Sequence, residues 1–137
     1  MANLRVNLDT AVYSTLNIAT ITNAALGGVF NTHAPQGTEP PYVVFQAMSK
    51  IDDYFAYTGR GAEAIYMVKA VARSPWPKEA GDIDTKIDAA MQNASLSITD
   101  HSLIECRRES DIYLVEDLDG VIYQHIGGLY RVIADES

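Results

Sequence analysis

The chain has a single cysteine, Cys106, and few basic residues. One cysteine excludes an internal disulfide, which suits a reducing compartment such as a cytoplasm. Ten lysines and arginines stand against eighteen aspartates and glutamates, so the formal net charge is −8. A protein that binds nucleic acid regardless of sequence needs basic patches to displace counterions, and this composition argues against that class. It does not argue against a protein past which DNA slides without being held.

Long apolar runs are also missing. No run approaches the about 20 residues that a membrane helix needs, and the first residues lack the charged-then-apolar pattern of a secretory signal. We therefore expect no association with a membrane. With 137 residues, of which 47% are hydrophobic, the chain is expected to form one domain over residues 1–137.

Residue patterns typical of catalysis or metal binding are scarce. The three histidines, His33, His101 and His125, lie in separate segments, and none has a second ligand three or four residues away. The sequence contains no P-loop, dinucleotide fingerprint or Gly-x-Ser-x-Gly elbow. It therefore predicts no cofactor, no metal site and no catalytic residue, and the numerous carboxylates are expected to be solvated. Arginines beside Cys106 make a reactive thiol conceivable, but a small residue on a strand is the favoured interpretation.

Apolar spacing predicts a first helix near the start of the chain. With Asn7 or Asp9 as N-cap, the i, i+3 and i+4 positions form one apolar face of Leu8, Ala11, Val12, Leu16 and Ala19. Ile21 and Leu26 extend this face, and Gly27-Gly28 is the predicted stop, because glycine accepts the left-handed conformation found at helix ends. Val29 and Phe30 then suggest a short strand.

A second helix is predicted to start within residues 78–82, after the break at Ser74-Pro75-Trp76-Pro77. Its apolar face comprises Ile83, Ile87, Ala90, Met91 and Ala94. Its charged residues are expected to point outward, namely Asp82, Asp84, Lys86 and Asp88.

Strands are predicted at residues 42–49, 62–73, 102–108, 112–115 and 123–134, with a polar loop at 50–61. Asp119-Gly120 is a turn signal, and Gly127-Gly128 suggests a bulge or a close backbone approach. The order helix, strands, helix, strands favours an α+β fold, in which two helices cover one face of a mainly antiparallel sheet.

Residues suited to protein interfaces concentrate in loops. Four lie in or beside the 50–61 loop and one in the later break: Tyr54, Phe55, Tyr57, Arg60 and Trp76. Aromatic residues are enriched at interface anchors, although a loop folded back over the core would also explain them. Five acids without a base follow between residues 109 and 120: Glu109, Asp111, Glu116, Asp117 and Asp119. They suggest a surface that faces a basic partner or a DNA channel, with an ordinary solvated segment as the alternative.

The order of these elements, together with several sequence segments, resembles the tail-terminator (tail-completion) proteins of long-tailed bacteriophages. The resemblance rests on Leu26-Gly27-Gly28-Val29-Phe30, on the loop Ala34-Pro35-Gln36-Gly37 and on Pro41-Tyr42-Val43-Val44-Phe45-Gln46. It continues through the long hairpin into residues 63–73 and the closing segments 123–126 and 129–132.

The resemblance implies a non-enzymatic virion protein that is assembled in the host cytoplasm and forms a ring, typically a hexamer. Its implied partners are copies of itself, the tail-tube protein and a head-completion, stopper or connector protein, with DNA passing through the centre without specific binding. Within such a ring, the length and composition of residues 50–61 suggest that they contact the tube or the neighbouring subunit, and the composition of the acidic segment suggests that it faces the lumen or the connector. The alternatives are a connector or stopper subunit, or a small cytoplasmic ligand-binding or enzymatic domain.

Overall fold

The computed structural model describes residues 4–53, 61–92, 96, 98 and 101–136. Its elements are α1 (Leu4–Leu16), α2 (Ala19–Thr22), β1 (Val29–Asn31), β2 (Tyr42–Asp53), β3 (Gly61–Arg73), α3 (Lys78–Met91), β4 (His101–Leu118) and β5 (Val121–Glu136). The five strands form one sheet in the order β1-β2-β3-β5-β4. Among the described strands, β1 and β2 pair in parallel and the other three pairs are antiparallel. The predicted α+β class and the mainly antiparallel sheet are confirmed.

The long helices pack on the same face of the sheet. The Tyr66 hydroxyl on β3 donates to Asp9 of α1, and the Tyr130 hydroxyl on β5 donates to Asp88 of α3 at 3.0 Å. Because Tyr66 and Tyr130 are directly opposed in the β3–β5 register, both side chains leave the sheet on one side. The core between helices and sheet includes Leu8, Val12, Leu16, Ile21, Phe45, Val68, Ile83, Ile87, Met91, Ile126 and Val132.

The first helix differs from its prediction at both ends. It starts at Leu4, so Asn7 and Asp9 lie inside it and do not cap it. It ends at Leu16, because Ile18 adopts extended backbone angles before the short α2. Ala19 and Leu26 are therefore exposed instead of lying on the apolar face.

The Gly27-Gly28 pair serves a contact with β2 instead of ending a helix. The Gly27 N–H donates to the Pro41 carbonyl at 2.9 Å, and a Cβ on Gly27 would lie 2.4 Å from the Glu39 carbonyl oxygen. Gly28 has a φ of +107°, which L side chains rarely adopt. These glycines bring the chain close enough for β1 to pair with β2.

The second half of the chain follows its predictions more closely. Helix α3 begins at Lys78, within the predicted window, and buries Ile83, Ile87 and Met91. Two of the charged residues predicted to point outward face the sheet instead. Only 14% of the Asp84 side chain is exposed, and Asp88 accepts from the Tyr130 hydroxyl. The two strands predicted at 102–108 and 112–115 form one strand, β4, which accommodates register shifts at Leu103/Glu105 and Arg108/Ser110 and continues to Leu118. Residues 50–53 and Gly61, predicted as loop, belong to β2 and β3.

Candidate assembly surface

Arg108 joins β4 to both α3 and β5. Its Nη1 and Nη2 donate to the two Asp84 oxygens at 3.0 Å each, and its Nε donates to Asp111 at 2.9 Å. Nη2 also donates to the Gly127 carbonyl at 2.7 Å, and the guanidinium lies over the Tyr130 ring at 5.7 Å from its centroid. Planar, forked donors suit such multiple recognition, so Arg108 fixes the position of β4 under α3.

The Arg108 guanidinium stays protonated at every pH at which the chain is folded. Burial disfavours the charged guanidinium, but hydrogen bonds to Asp84 and Tyr130 outweigh it and hold the pKa of Arg108 above its usual range. Burial raises the pKa of the Tyr130 phenol, so the phenol keeps its proton and donates a hydrogen bond to Asp88. Both side chains therefore keep these hydrogen-bonding roles at neutral pH.

The lack of a side chain at positions 127 and 128 lets β5 lie close to β3 and to Arg108. A Cβ on Gly127 would lie 2.1 Å from the Val68 carbonyl oxygen, and one on Gly128 would lie 2.5 Å from the Arg108 Nε. Of the two predicted explanations for this glycine pair, the close backbone approach is correct. The β5 pairing continues through both residues without a register shift, and the shifts lie in β4 instead.

Beyond Arg108, β4 leaves the cover of the helices. We call residues 101–109 its proximal segment and residues 110–118 its distal segment. The distal segment carries four large apolar side chains that are more than half exposed, with exposed fractions from 52% to 71%: Tyr113, Leu114, Val115 and Leu118. In the sheet order β4 is an edge strand, and in the described part of the chain it pairs with β5 alone. The distal segment is therefore an exposed apolar edge.

The five predicted acidic residues do not form one continuous surface. Glu109 pairs with Arg131 and Arg107, and Asp111 pairs with Arg108. Asp117 and Asp119 lie at the turn between β4 and β5, where the Asp117 side chain accepts the Gly120 N–H at 2.9 Å. Among the described side chains, no lysine or arginine pairs with either turn residue. The uncompensated charge is thus at the hairpin turn.

Glu116 lies on the sheet face opposite the helices, beside a buried histidine. Its Oε1 is 3.2 Å from the His125 Nε2. Burial, together with the charge of Lys69, lowers the pKa of His125, although Glu116 acts in the opposite direction. Burial and the Glu116 charge raise the pKa of Tyr42 on the same face. His125 is therefore neutral near pH 7, and the cation that interacts with Glu116 on this face is Lys69.

Of the predicted aromatic interface residues, the structure describes Trp76 alone. Its side chain is 72% exposed between Pro75 and Pro77, so it is not folded back over the core. The preceding Ser74 N–H donates to the Ile122 carbonyl at 3.0 Å, which puts this connector at the same end of the sheet as the β4–β5 turn. Tyr54, Phe55, Tyr57 and Arg60 lie outside the described residues.

The proline-rich loop of residues 34–40 borders a cleft of about 420 Å³ at that same end. The opposite walls come from Tyr42, Arg73, Glu116, Leu118 and Tyr123. Arg73 pairs with Glu39 of the loop at 3.3 Å, and this contact ties the loop to β3.

Sequence reasoning missed Arg108 and the apolar edge. The run Ile112-Tyr113-Leu114-Val115 is predicted as a strand, but its exposure depends on which part of the sheet α3 covers. The role of Arg108 depends on the facing carboxylates of α3, which the sequence suggested would point to solvent. No local signal distinguished Arg108 from Arg107.

Features of metal sites and of membrane spans were also sought in the described residues. Within them, no group of three or more histidine, cysteine or acidic residues could hold a metal ion. None of their helices is long and apolar enough to cross a membrane. Cys106 is buried, with its Sγ 3.1 Å from the Met91 carbonyl oxygen.

Comparison with solved structures finds chains of similar fold. A chain from the "virion of native gene transfer agent (GTA) particle" superposes with a TM-score of 0.76 at 15% identity, covering 98% of this chain and 99% of that one. A second solved structure gives a TM-score of 0.58 at 12% identity, with 97% and 95% covered. At such identities these similarities show the fold alone. No curated protein matches the sequence.

A family comparison goes further than the fold. The profile of the family described as tail completion protein gp17 matches residues 10–125, which is most of the chain. The chain therefore belongs to the tail completion protein gp17 family and is a structural, non-enzymatic component of a phage-type virion.

Proposed function

We propose that the chain is a tail terminator. In this function its copies form a ring, typically a hexamer, that caps the tail tube, stops tube polymerisation and joins the tube to the head connector. DNA passes through the central hole. The family match over residues 10–125 is the observation that carries the proposal. Such a ring needs a heterologous interface whose rotation closes.

The exposed apolar residues support an assembling protein. Monomeric soluble proteins rarely expose large contiguous apolar patches, and larger ones mark interaction sites. Here Trp76, Leu118 and Val121 lie at one end of the sheet, with exposed fractions of 72%, 54% and 41%. In our proposal Trp76, together with Tyr54, Phe55, Tyr57 and Arg60, contacts the tube or the neighbouring subunit.

The charge distribution supports passage of DNA without binding. With a net charge of −8 the chain offers few cationic side chains to displace the counterions of DNA, and a like-charged wall leaves no tight contact to break during translocation. In our proposal the acidic residues Glu109, Asp111, Glu116, Asp117 and Asp119 face the lumen or the connector. Asp117 and Asp119 contribute most, because no arginine or lysine among the described side chains neutralises them.

Native mass spectrometry of the chain, alone and mixed with tail-tube protein, tests this function. We expect a closed ring that binds the end of tubes, and tubes of limited length by electron microscopy. A monomer that ignores the tube contradicts the proposal. Binding to portal rings instead of tubes identifies a connector or stopper subunit.

Variants test the two proposed faces. Trp76→Ala is expected to weaken ring or tube binding, whereas Val6→Ala, at a residue 56% exposed on α1, serves as a matched control.

Replacing Glu116, Asp117 and Asp119 together by lysine is expected to reduce head joining or DNA passage. Infectious particles in normal yield from that triple variant would refute the acidic-face assignment.

A further inference from the structure

We propose that the distal segment of β4 binds an extended, lysine- or arginine-bearing segment of another virion protein, which adds to the sheet as a sixth strand. The inference rests on the proposed function only for the source of this partner. The binding mode itself follows from the edge, the side chains and the charge of residues 110–118.

The backbone of the distal segment is suited to strand addition. Edge strands are normally protected by bulges, prolines or charged side chains, above all lysines, and an edge with acids alone stays open to a chain of opposite charge. The proximal segment contains two register shifts, whereas the β4–β5 register from Ser110 to Leu118 is uninterrupted. The sequence of the distal segment contains neither proline nor lysine. Alternate residues of this nine-residue segment therefore present outward N–H and C=O groups in a regular pattern.

The side chains offer apolar contacts on both faces of this template. Tyr113 and Val115 stand opposite Ile126 and Gln124, on the face that continues from the helix-covered side. Leu114 and Leu118 stand opposite His125 and Val121, on the other face. In strand addition, main-chain hydrogen bonds supply affinity and alternate side chains supply specificity. An added strand would bury apolar surface on both sides.

The charge indicates a basic partner. From Ile112 to Ile122 the hairpin has three acids, Glu116, Asp117 and Asp119, and no lysine or arginine. Glu116 is near Lys69, but no lysine or arginine among the described side chains pairs with Asp117 or Asp119, so the turn carries uncompensated negative charge at neutral pH. Complementary charge across an interface favours the correct partner and speeds association.

A second copy of the chain fits this surface poorly. The copy carries the same net charge of −8. Every arginine whose side chain the structure describes is already ion-paired within the chain, namely Arg73, Arg107, Arg108 and Arg131. The chain has only four lysines, of which Lys78 is paired with Asp82, so a different protein with several free basic side chains is the better match.

Peptide titration of the full-length, isotope-labelled chain tests the inference. The probe is a nine-residue peptide of alternating lysine and valine, and the control is the same peptide with glutamate in place of lysine. We expect the lysine peptide to shift the backbone NMR signals of residues 110–118, with affinity that falls as salt is added. Equal binding of the glutamate peptide, or shifts confined to another part of the chain, would overturn the proposal.

Matched variants sharpen the test. Val115→Lys places a positive charge on the apolar edge, which repels the lysines of the peptide. We expect about tenfold weaker binding of the lysine peptide to this variant. Val6→Lys changes an apolar residue of similar exposure on α1, 56% against 62%, and should leave the affinity unchanged. Equal affinities of the two variants would count against the distal segment as the binding site.

Self-association gives a third, distinct outcome. If the chain does not bind the peptide but forms oligomers that dissociate in the Val115→Lys variant, the edge pairs copies of the chain. The basic-partner proposal is then wrong, while the terminator function stands. If the peptide binds as expected but no ring forms with tube protein, the terminator function fails and the strand-addition site is supported.

Discussion

The two segments of β4 differ although they belong to one strand at one edge of the sheet. In the proximal segment, Cys106 is buried and Arg108 is bound by residues of α3 and β5. In the distal segment, Tyr113 and Val115 leave the sheet on the same side as Arg108 but are 71% and 62% exposed. Cover by α3, and not strand propensity, separates a structural segment from an exposed one. An apolar strand sequence therefore does not by itself mark the core.

The largest expected effect comes from removing the side chain that fixes the proximal segment. Arg108→Ala leaves Asp84, whose side chain is 14% exposed, without its partner. Breaking a largely buried ion pair costs about 3 kcal/mol, and we expect a loss of that size in the free energy of unfolding from urea denaturation. The control Arg107→Ala removes surface ion pairs of a side chain that is 53% exposed and should cost less than about 1 kcal/mol. Equal losses for both variants would refute the central position of Arg108.

A smaller loss is expected at the boundary between the two segments. Gly128 stands opposite Asp111, and a Cβ there would lie 2.5 Å from the Arg108 Nε and 2.9 Å from the Ser110 carbonyl oxygen. Gly128→Ala should displace the guanidinium and cost about 2 kcal/mol, in the range of overpacked cores. Gly81→Ala is the control, because a Cβ on this residue of α3 meets nothing within 4 Å. It should stabilise the chain by about 0.5 kcal/mol through helix propensity, and a loss similar to that of Gly128→Ala would contradict the steric explanation.

Substitutions in the distal segment should scarcely change stability. Tyr113→Lys and Val115→Lys alter exposed side chains, so we expect changes within about 0.5 kcal/mol in the same denaturation experiment. Cys106→Asp puts a charge at a position that is 2% exposed in the proximal segment, and it should destabilise strongly. If the lysine variants unfold as readily as Cys106→Asp, the distal segment is part of the core and the contrast between the segments is false.

The smallest expected effect is a dependence on pH from His125. Its pKa is lower in the folded chain than in the unfolded chain, so the unfolded chain binds more protons as the pH falls below about 6.5. Stability contributed by the neutral histidine is therefore complete above that pH and declines below it, down to the folded pKa. In the His125→Gln variant the free energy of unfolding should fall less than in the unmodified chain as the pH is lowered through this range. Identical slopes for both proteins between pH 7 and pH 5 would contradict the assignment.

The sequence predicted what depends on local pattern. The α3 start at Lys78, the short β1 and the order of elements all follow from apolar spacing, proline breaks and β-branched runs. The family resemblance, drawn from the segments around Gly27 and Pro41, agrees with the family match.

What depends on distant contacts was not predictable in the same way. The continuity of β4 requires register shifts at positions with no glycine or proline signal. Asp84 looks like a solvated helix residue until Arg108, 24 residues later, is brought against it. The five acids of residues 109–119 form a cluster in the sequence, but strand alternation and the neighbouring arginines divide them among different surroundings.

The burial of Cys106 has a practical use for studying assembly. Its thiol lies under α3, where labelling reagents reach it slowly, and the chain has no other cysteine. A second cysteine introduced at Leu114, which is 52% exposed, would therefore react first with a maleimide dye. Fluorescence from that position would follow occupancy of the sheet edge in real time while Cys106 remains in place.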